Sequence, residues 1–176
     1  MSDEMLIALC VMLVLFIVYY YWQTRPKVYL VDKKVPGSHV YNFTPADGEK
    51  MAPLLGATVA TLAQVTQAQA NGAEWCHNGF VADGDRVFPM QKGKAGCGHT
   101  GININSGTKG GITLCGPLPA WMTQGRIKSI LVKNGLMVET DELVFYGGVR
   151  ISYEKGVKAI ADVKRDLDVA ATKIPV

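Results

Sequence analysis

A chain of 176 residues has room for one ordinary domain with a small addition. Its 48% hydrophobic and 19% charged residues exclude wholesale disorder. The formal net charge of +3 comes from scattered Lys and Arg, with no basic run longer than Lys33-Lys34 or Lys164-Arg165, which excludes the dense stripe of a nucleic-acid surface.

The first element is Met5 to Trp22, MLIALCVMLVLFIVYYYW, which carries no charge. As a helix it spans about 27 Å, close to the roughly 30 Å hydrocarbon core of a bilayer. Tyr19, Tyr20, Tyr21 and Trp22 close it with rings suited to the membrane–water interface. A soluble core helix of this length would show a polar face. A signal peptide would need a basic front and a small-residue cleavage site, yet Asp3 and Glu4 precede the run and QTRPK follows it. The run reads as an uncleaved single-pass anchor in contact with the lipid bilayer. Arg25, Lys27, Lys33 and Lys34 follow it and nothing basic precedes it. The positive-inside rule therefore places the head on the cytoplasmic side.

Val28 to Val31 is a short β-type run, separated by a polar KKVPGS turn from a second run, Val40 to Phe43. Thr44-Pro45-Ala46-Asp47 starts a helix, with Thr44 as cap, Pro45 first in the helix and Asp47 at the positive end of the dipole. Pro53 limits that helix to about two turns and Gly56 ends the segment. Thr61-x-x-Gln64 is a capping box for a second helix carrying Leu62, Val65, Ala68 and Gln69, stopped by Gly72.

From Asn78 to Gly116 glycine is frequent and the loops GDR, KGKAGCG and SGTKGG dominate. Such texture invites a cross-link between Cys76 and Cys97. Zinc is the competing use of Cys76-His77 and Cys97-x-His99, but adjacent Cys and His seldom face one metal, so no metal is expected. Asp83-Gly84-Asp85 lacks the spaced Glu of a calcium loop and reads as a turn. GTKGG lacks the Lys-Ser/Thr of a phosphate loop. Cys115 has no nominated base or orienting group, so it reads as an unpaired thiol. Asn42-Phe43-Thr44 is a glycosylation sequon. No motif calls for catalysis or a cofactor.

The stretches GATVATLAQVTQAQANGAEWC, NGF, VFPM and GCGHTGI resemble the Link module, the hyaluronan-binding relative of C-type lectin domains. The likeness runs from about Lys27 to about Gly116 and includes both helix starts, both glycine stops and the Cys76–Cys97 spacing of the module's inner disulfide. Departures accompany it. The outer disulfide's first cysteine falls at Ala52, leaving Cys115 without a partner, and the usual Trp is Phe80. Hyaluronan binding in the family rests on a basic residue beside a Tyr, another ring, and a later Tyr and Arg. By position these are Val40, Tyr41, Phe88, Asn105 and Thr108. The resemblance implies a groove around Tyr41 and Phe88 that keeps its aromatic faces and has lost its cations, leaving a depleted carbohydrate site.

A short acidic N-terminus, one apolar span ending in Tyr, and a Link-like head is also similar in layout to small proteins of large nucleocytoplasmic DNA viruses. That likeness implies a minor capsid component, with the head facing the capsid from an internal membrane and capsid proteins as its partners. Such viruses commonly encode a thiol oxidase, which would account for a cytoplasmic disulfide.

Beyond Trp121, Ile127–Val132 and Leu136–Thr140 around Asn134-Gly135 form a hairpin pattern. Leu143–Tyr146 and Val149–Tyr153 suggest one or two more strands, and Val157 to Asp168 suggests a helix, with VKAIADV also fitting an edge strand. The expected class is α+β: an anchor (1–22), a Link-like domain (23–120) and a β-hairpin-rich C-terminal extension (121–176). The leading expectation is a non-enzymatic structural protein bridging membrane and capsid. The alternative is a membrane-anchored receptor for glycosaminoglycan-type carbohydrate.

Overall fold

Asp3–Thr24 forms a single helix, α1, in the computed structural model, which describes residues 3–38 and 41–151. Its mean hydropathy of 2.4 and its 22 residues make it the one candidate membrane span among the described residues. None of its residues is buried against the head. Tyr19, Tyr20, Tyr21 and Trp22 are all exposed at its end.

Only Arg25 separates α1 from strand β1 (Pro26–Lys34). There follow α2 (Pro45–Leu54), β2 (Thr58–Val59), α3 (Leu62–Ala70), β3 (Gly79–Phe80), β4 (Arg86–Met90), β5 (Gly101–Asn105), β6 (Gly111–Pro117), α4 (Gln124–Lys133) and β7 (Glu142–Arg150). The strands make one seven-stranded sheet in the order β5-β4-β3-β6-β1-β7, with β2 also on β6. Pairings are antiparallel except β3 with β6.

The β1 run reads as continuously apolar because both of its faces are covered. Val28 and Leu30 point toward α3 and join Val65, Ala68 and Trp75. Tyr29 and Val31 point the other way, into a cluster with Met51, Ile112, Leu114, Ile127 and Leu131 under α2 and α4. Gly79 is dictated by this packing, since a Cβ there would lie 2.2 Å from Thr113 Oγ1 and 2.6 Å from Leu30 Cδ1.

Three helices share one grammar. Thr44, Thr61 and Thr123 are N-caps, each accepting from the backbone N–H three residues on, and the first two complete capping boxes with Asp47 and Gln64. Each helix ends in a Schellman motif with glycine next to the cap: Gly56, Gly72 and Gly135, all at positive φ. Pro53 sits in the last turn of α2, which reaches Leu54 and so exceeds the expected two turns.

The hairpin expected around Asn134-Gly135 is not formed. Ile127–Val132 belongs to α4. A type I′ turn needs positive φ at both central residues, and Asn134 has φ −100° while Gly135 has +72°. The pair instead caps a helix, with Leu136 N–H donating to Leu131 O at 2.9 Å and Gly135 N–H to Val132 O at 3.0 Å. Burial of Ile127 and Leu131, one turn apart, decides the outcome over the β propensity of the run. Thr123→Ala should therefore cost about 1 kcal/mol, read as a lower urea midpoint with unchanged m-value; an unchanged midpoint would count against the cap.

Leu143–Tyr146 and Val149–Arg150 are one strand, β7, which joins the head's sheet along β1 with a register shift between Val28 and Tyr29. Gly147 lies at that shift, at φ +94°, where a Cβ would be 2.9 Å from Trp75. Of the expected Val40–Phe43 run, the described residues 41–43 make a single bridge, Phe43 to Gly110. Val40 itself, Tyr153 and the helix expected over Val157–Asp168 lie outside the described residues.

Candidate ligand-binding site

The site begins with a buried carboxylate. Asp32, near the end of β1, is fully buried and gathers four donors. Its Oδ1 accepts from Lys33 N (2.8 Å) and Asn42 N (3.2 Å), and its Oδ2 from Tyr41 N (2.6 Å). His77 Nε2 lies 2.8 Å from Oδ2 and is itself buried. Burying a carboxylate is tolerable only when its lone pairs are filled in this way.

This arrangement fixes Tyr41. It is the one non-glycine residue with positive φ, +77°, among the described residues. A bulky side chain there is strained and persists only where its surroundings over-determine it. The Asp32 bonds to the N–H groups of Tyr41 and Asn42 do so. The Tyr41 ring then lies over His77, centroids 4.5 Å apart, and Tyr146 flanks His77 at 5.4 Å.

Polar groups surround that ring. Asn78 Nδ2 approaches Tyr41 Oη at 3.5 Å, and Asn105 Nδ2 donates to Asn78 Oδ1 at 2.9 Å. The Arg86 guanidinium carbon lies 5.9 Å from the Tyr41 centroid. Arg86 is held by the carbonyls of Ser106 and Lys109, in the loop between β5 and β6. Gly107 is required there because a Cβ would run into the guanidinium. A cation therefore does stand beside Tyr41, supplied by β4.

The expected residues are not all brought together. Tyr41 is partly exposed and central, but Phe88 is only 4% exposed and packs in the α3-side core. It cannot present a face to a ligand, because β4 turns it inward between Val87 and Met90, which are also buried. Asn105 belongs to the cluster, whereas Thr108 lies exposed in the loop that pins Arg86. Sequence reasoning missed Asp32, His77 as its partner, Asn78, Arg86 and Tyr146.

Cys76 and Cys97 form a disulfide with Cα atoms 5.3 Å apart, tying the residue before His77 to the β4–β5 loop. Burial pushes the Cys115 thiol up to about 11, which leaves it protonated and a poor nucleophile. Among the described residues, no three His, Cys, Asp or Glu side chains gather to hold a metal. The Asn42 sequon is not freely presented: its amide donates to Lys33 O at 2.8 Å, and Thr44 Oγ1 is engaged in its cap.

Residues 27–114 match the family model described as "Extracellular link domain", half of the 176-residue chain. The match stops inside β6, so α4, β7 and with them Tyr146 lie beyond it. No curated protein matches the chain.

Proposed function

The chain belongs to the extracellular link domain family, whose modules are of a carbohydrate-binding rather than catalytic type, and on that premise we propose that it is a membrane-anchored glycan-binding protein. Its ligand lies across the shelf made by Tyr41, Asn78, Asn105 and Arg86, with Tyr146 at its far side. The carrying observation is the Tyr41 backbone, held at φ +77° by a buried Asp32. That conformation offers a fixed aromatic ring beside two amides and one guanidinium. Ring faces stack on the apolar side of a sugar, amides pair with hydroxyl and acetamido groups, and a guanidinium pairs with a carboxylate. A single cation suits a sparsely charged glycosaminoglycan-type chain. Arg86 does here what the basic residue before Tyr41 does elsewhere in the family.

α1 is the uncleaved anchor in this reading, and 121–151 is built into the head. An extracytoplasmic head would meet glycans and form its disulfide without assistance. Glycan-array and hyaluronan-oligosaccharide titrations test the proposal. Tyr41→Ala should weaken binding about ten-fold or more, and exposed Asn105→Ala should weaken it while leaving the thermal midpoint unchanged. Wild-type protein that binds no glycan on the array sinks the reading.

A second reading rests on the basic flank. Arg25, Lys27, Lys33 and Lys34 follow α1, favouring a cytoplasmic head. The edge strand β7 then faces outward, where a partner strand can add to it. In that reading the chain is a minor virion component joining an internal membrane to capsid proteins. Protease protection of the head in sealed vesicles separates the two: digestion from the cytoplasmic face supports this reading and removes the first. Crosslinks from the head to a capsid protein in purified particles would support it further.

A further inference from the structure

The base of the head forms a groove with α1 that the glycan shelf does not use. It has a volume of about 530 Å³. One wall is the anchor itself, through Phe16, Tyr19 and Tyr20; the other is the loop after β6, through Pro119, Trp121 and Met122. The loop is clipped to the helix end. Ala120 N–H donates to Gln23 Oε1 at 3.3 Å, and Lys27 Nζ donates to Leu118 O at 2.5 Å. Because Arg25 alone separates α1 from β1, the head has no linker with which to stand off the membrane.

Cations and aromatic rings stand around the junction of α1 and the head, beside the groove. Trp121 is 60% exposed, with the Arg126 guanidinium 5.0 Å from its ring. Arg150 lies 4.3 Å over Trp22, and Arg25 4.7 Å over Tyr21. Among the described residues no carboxylate makes a salt bridge with Arg25, Lys27, Arg126 or Arg150. Lys27 also has its pKa lowered, first by burial and then by the charge of Arg150. Cations are crowded here without a paired anion among the described residues.

We propose that this groove seats an anionic phospholipid of the bilayer that α1 spans, making the Trp121 loop a second membrane contact. The helix wall supplies the apolar surface for the upper acyl chain, at the depth of the Tyr19–Trp22 belt. Arg126, Arg150 and Lys27 face the phosphate, and Trp121 sits among the headgroups as interfacial tryptophans do. The contact sets the tilt of the head and so the direction in which the Tyr41 shelf points. The inference rests on α1 being an anchor, and the experiment keeps the two apart.

Full-length protein in nanodiscs of phosphatidylcholine, with or without phosphatidylserine, is read by tryptophan fluorescence using lipids brominated near the headgroup. Trp22→Phe and Trp121→Phe assign the signals, while Trp75, 3% exposed in the core, is the constant background. Trp22 quenching reports insertion of the anchor. The expected result is that most Trp121 emission is also lost, more so with phosphatidylserine, and that Arg126→Gln removes the phosphatidylserine dependence. Trp22 quenched by lipid while Trp121 is quenched only by aqueous iodide overturns the inference and leaves the anchor standing. Trp121 quenching indifferent to phosphatidylserine overturns the choice of an anionic lipid. Neither tryptophan quenched by lipid removes anchor and inference together.

Discussion

Replacing Asp32 with alanine is expected to lower the stability of the head by about 3–5 kcal/mol. The loss follows from what the carboxylate does: three backbone N–H groups and the His77 ring converge on it in a site closed to solvent. A domain with only about 5–15 kcal/mol of stability feels such a loss as a large fall in its denaturation midpoint. Asp32→Asn keeps the volume but turns an NH₂ toward converging donors, so it should recover little. Hydrogen exchange gives a local reading, because the Tyr41 and Asn42 amides should lose protection before the β1–β6 ladder does. A loss below about 1 kcal/mol for Asp32→Ala would show that Tyr41 is held by something else. Glycan binding should fail in this variant even where it remains folded, since Tyr41 would relax from its left-handed conformation.

Cys97→Ser should cost about 3 kcal/mol in the chain-entropy account of a cross-link, here one closing 21 residues. Cys76→Ser should cost the same, and the double variant no more than either single one, because the bond can be lost only once. Unequal single variants would mean that side-chain packing of Cys97 against the α3-side core, and not the bond, carries the effect. Reduction of the wild-type protein should reproduce the shift without any substitution. Buried Cys115 supplies the contrast, as its thiol takes no part in the bridge.

The local features of this fold were legible and the long-range ones were not. Thr44 and Thr61 announce their helices because a cap and a glycine stop are nearest-neighbour chemistry. α4 obeys the same rule from Thr123 to Gly135, but Asn-Gly after a β-branched run satisfies the hairpin rule as well. The choice between them lies in the burial of Ile127 and Leu131 under the sheet, which no local window contains. The cysteine register and the Link likeness carried the fold class. Tyr41 was found by position, yet the groups that make it a site were not. Asp32 lies beside two lysines at the end of β1 and pairs with a histidine 45 residues away. Arg86 reaches Tyr41 from β4, far along the chain. Phe88 shows the converse: an aromatic position carried over from a family can turn inward when the residues around it pack differently.

The place of β1 in the sheet also sets an order of events during synthesis. β1 lies between β6 and β7, so its hydrogen-bonding partners are residues 112–117 and 142–150, far along the chain. It emerges from the ribosome directly behind α1 and must wait, with Val28 to Val31 uncovered, until the rest of the head has been made. Closing such distant contacts is slow, and an unpaired apolar strand is meanwhile open to aggregation. A nascent chain stalled before β7 should therefore hold a protease-sensitive head, and resistance should appear only once Arg150 has cleared the exit tunnel.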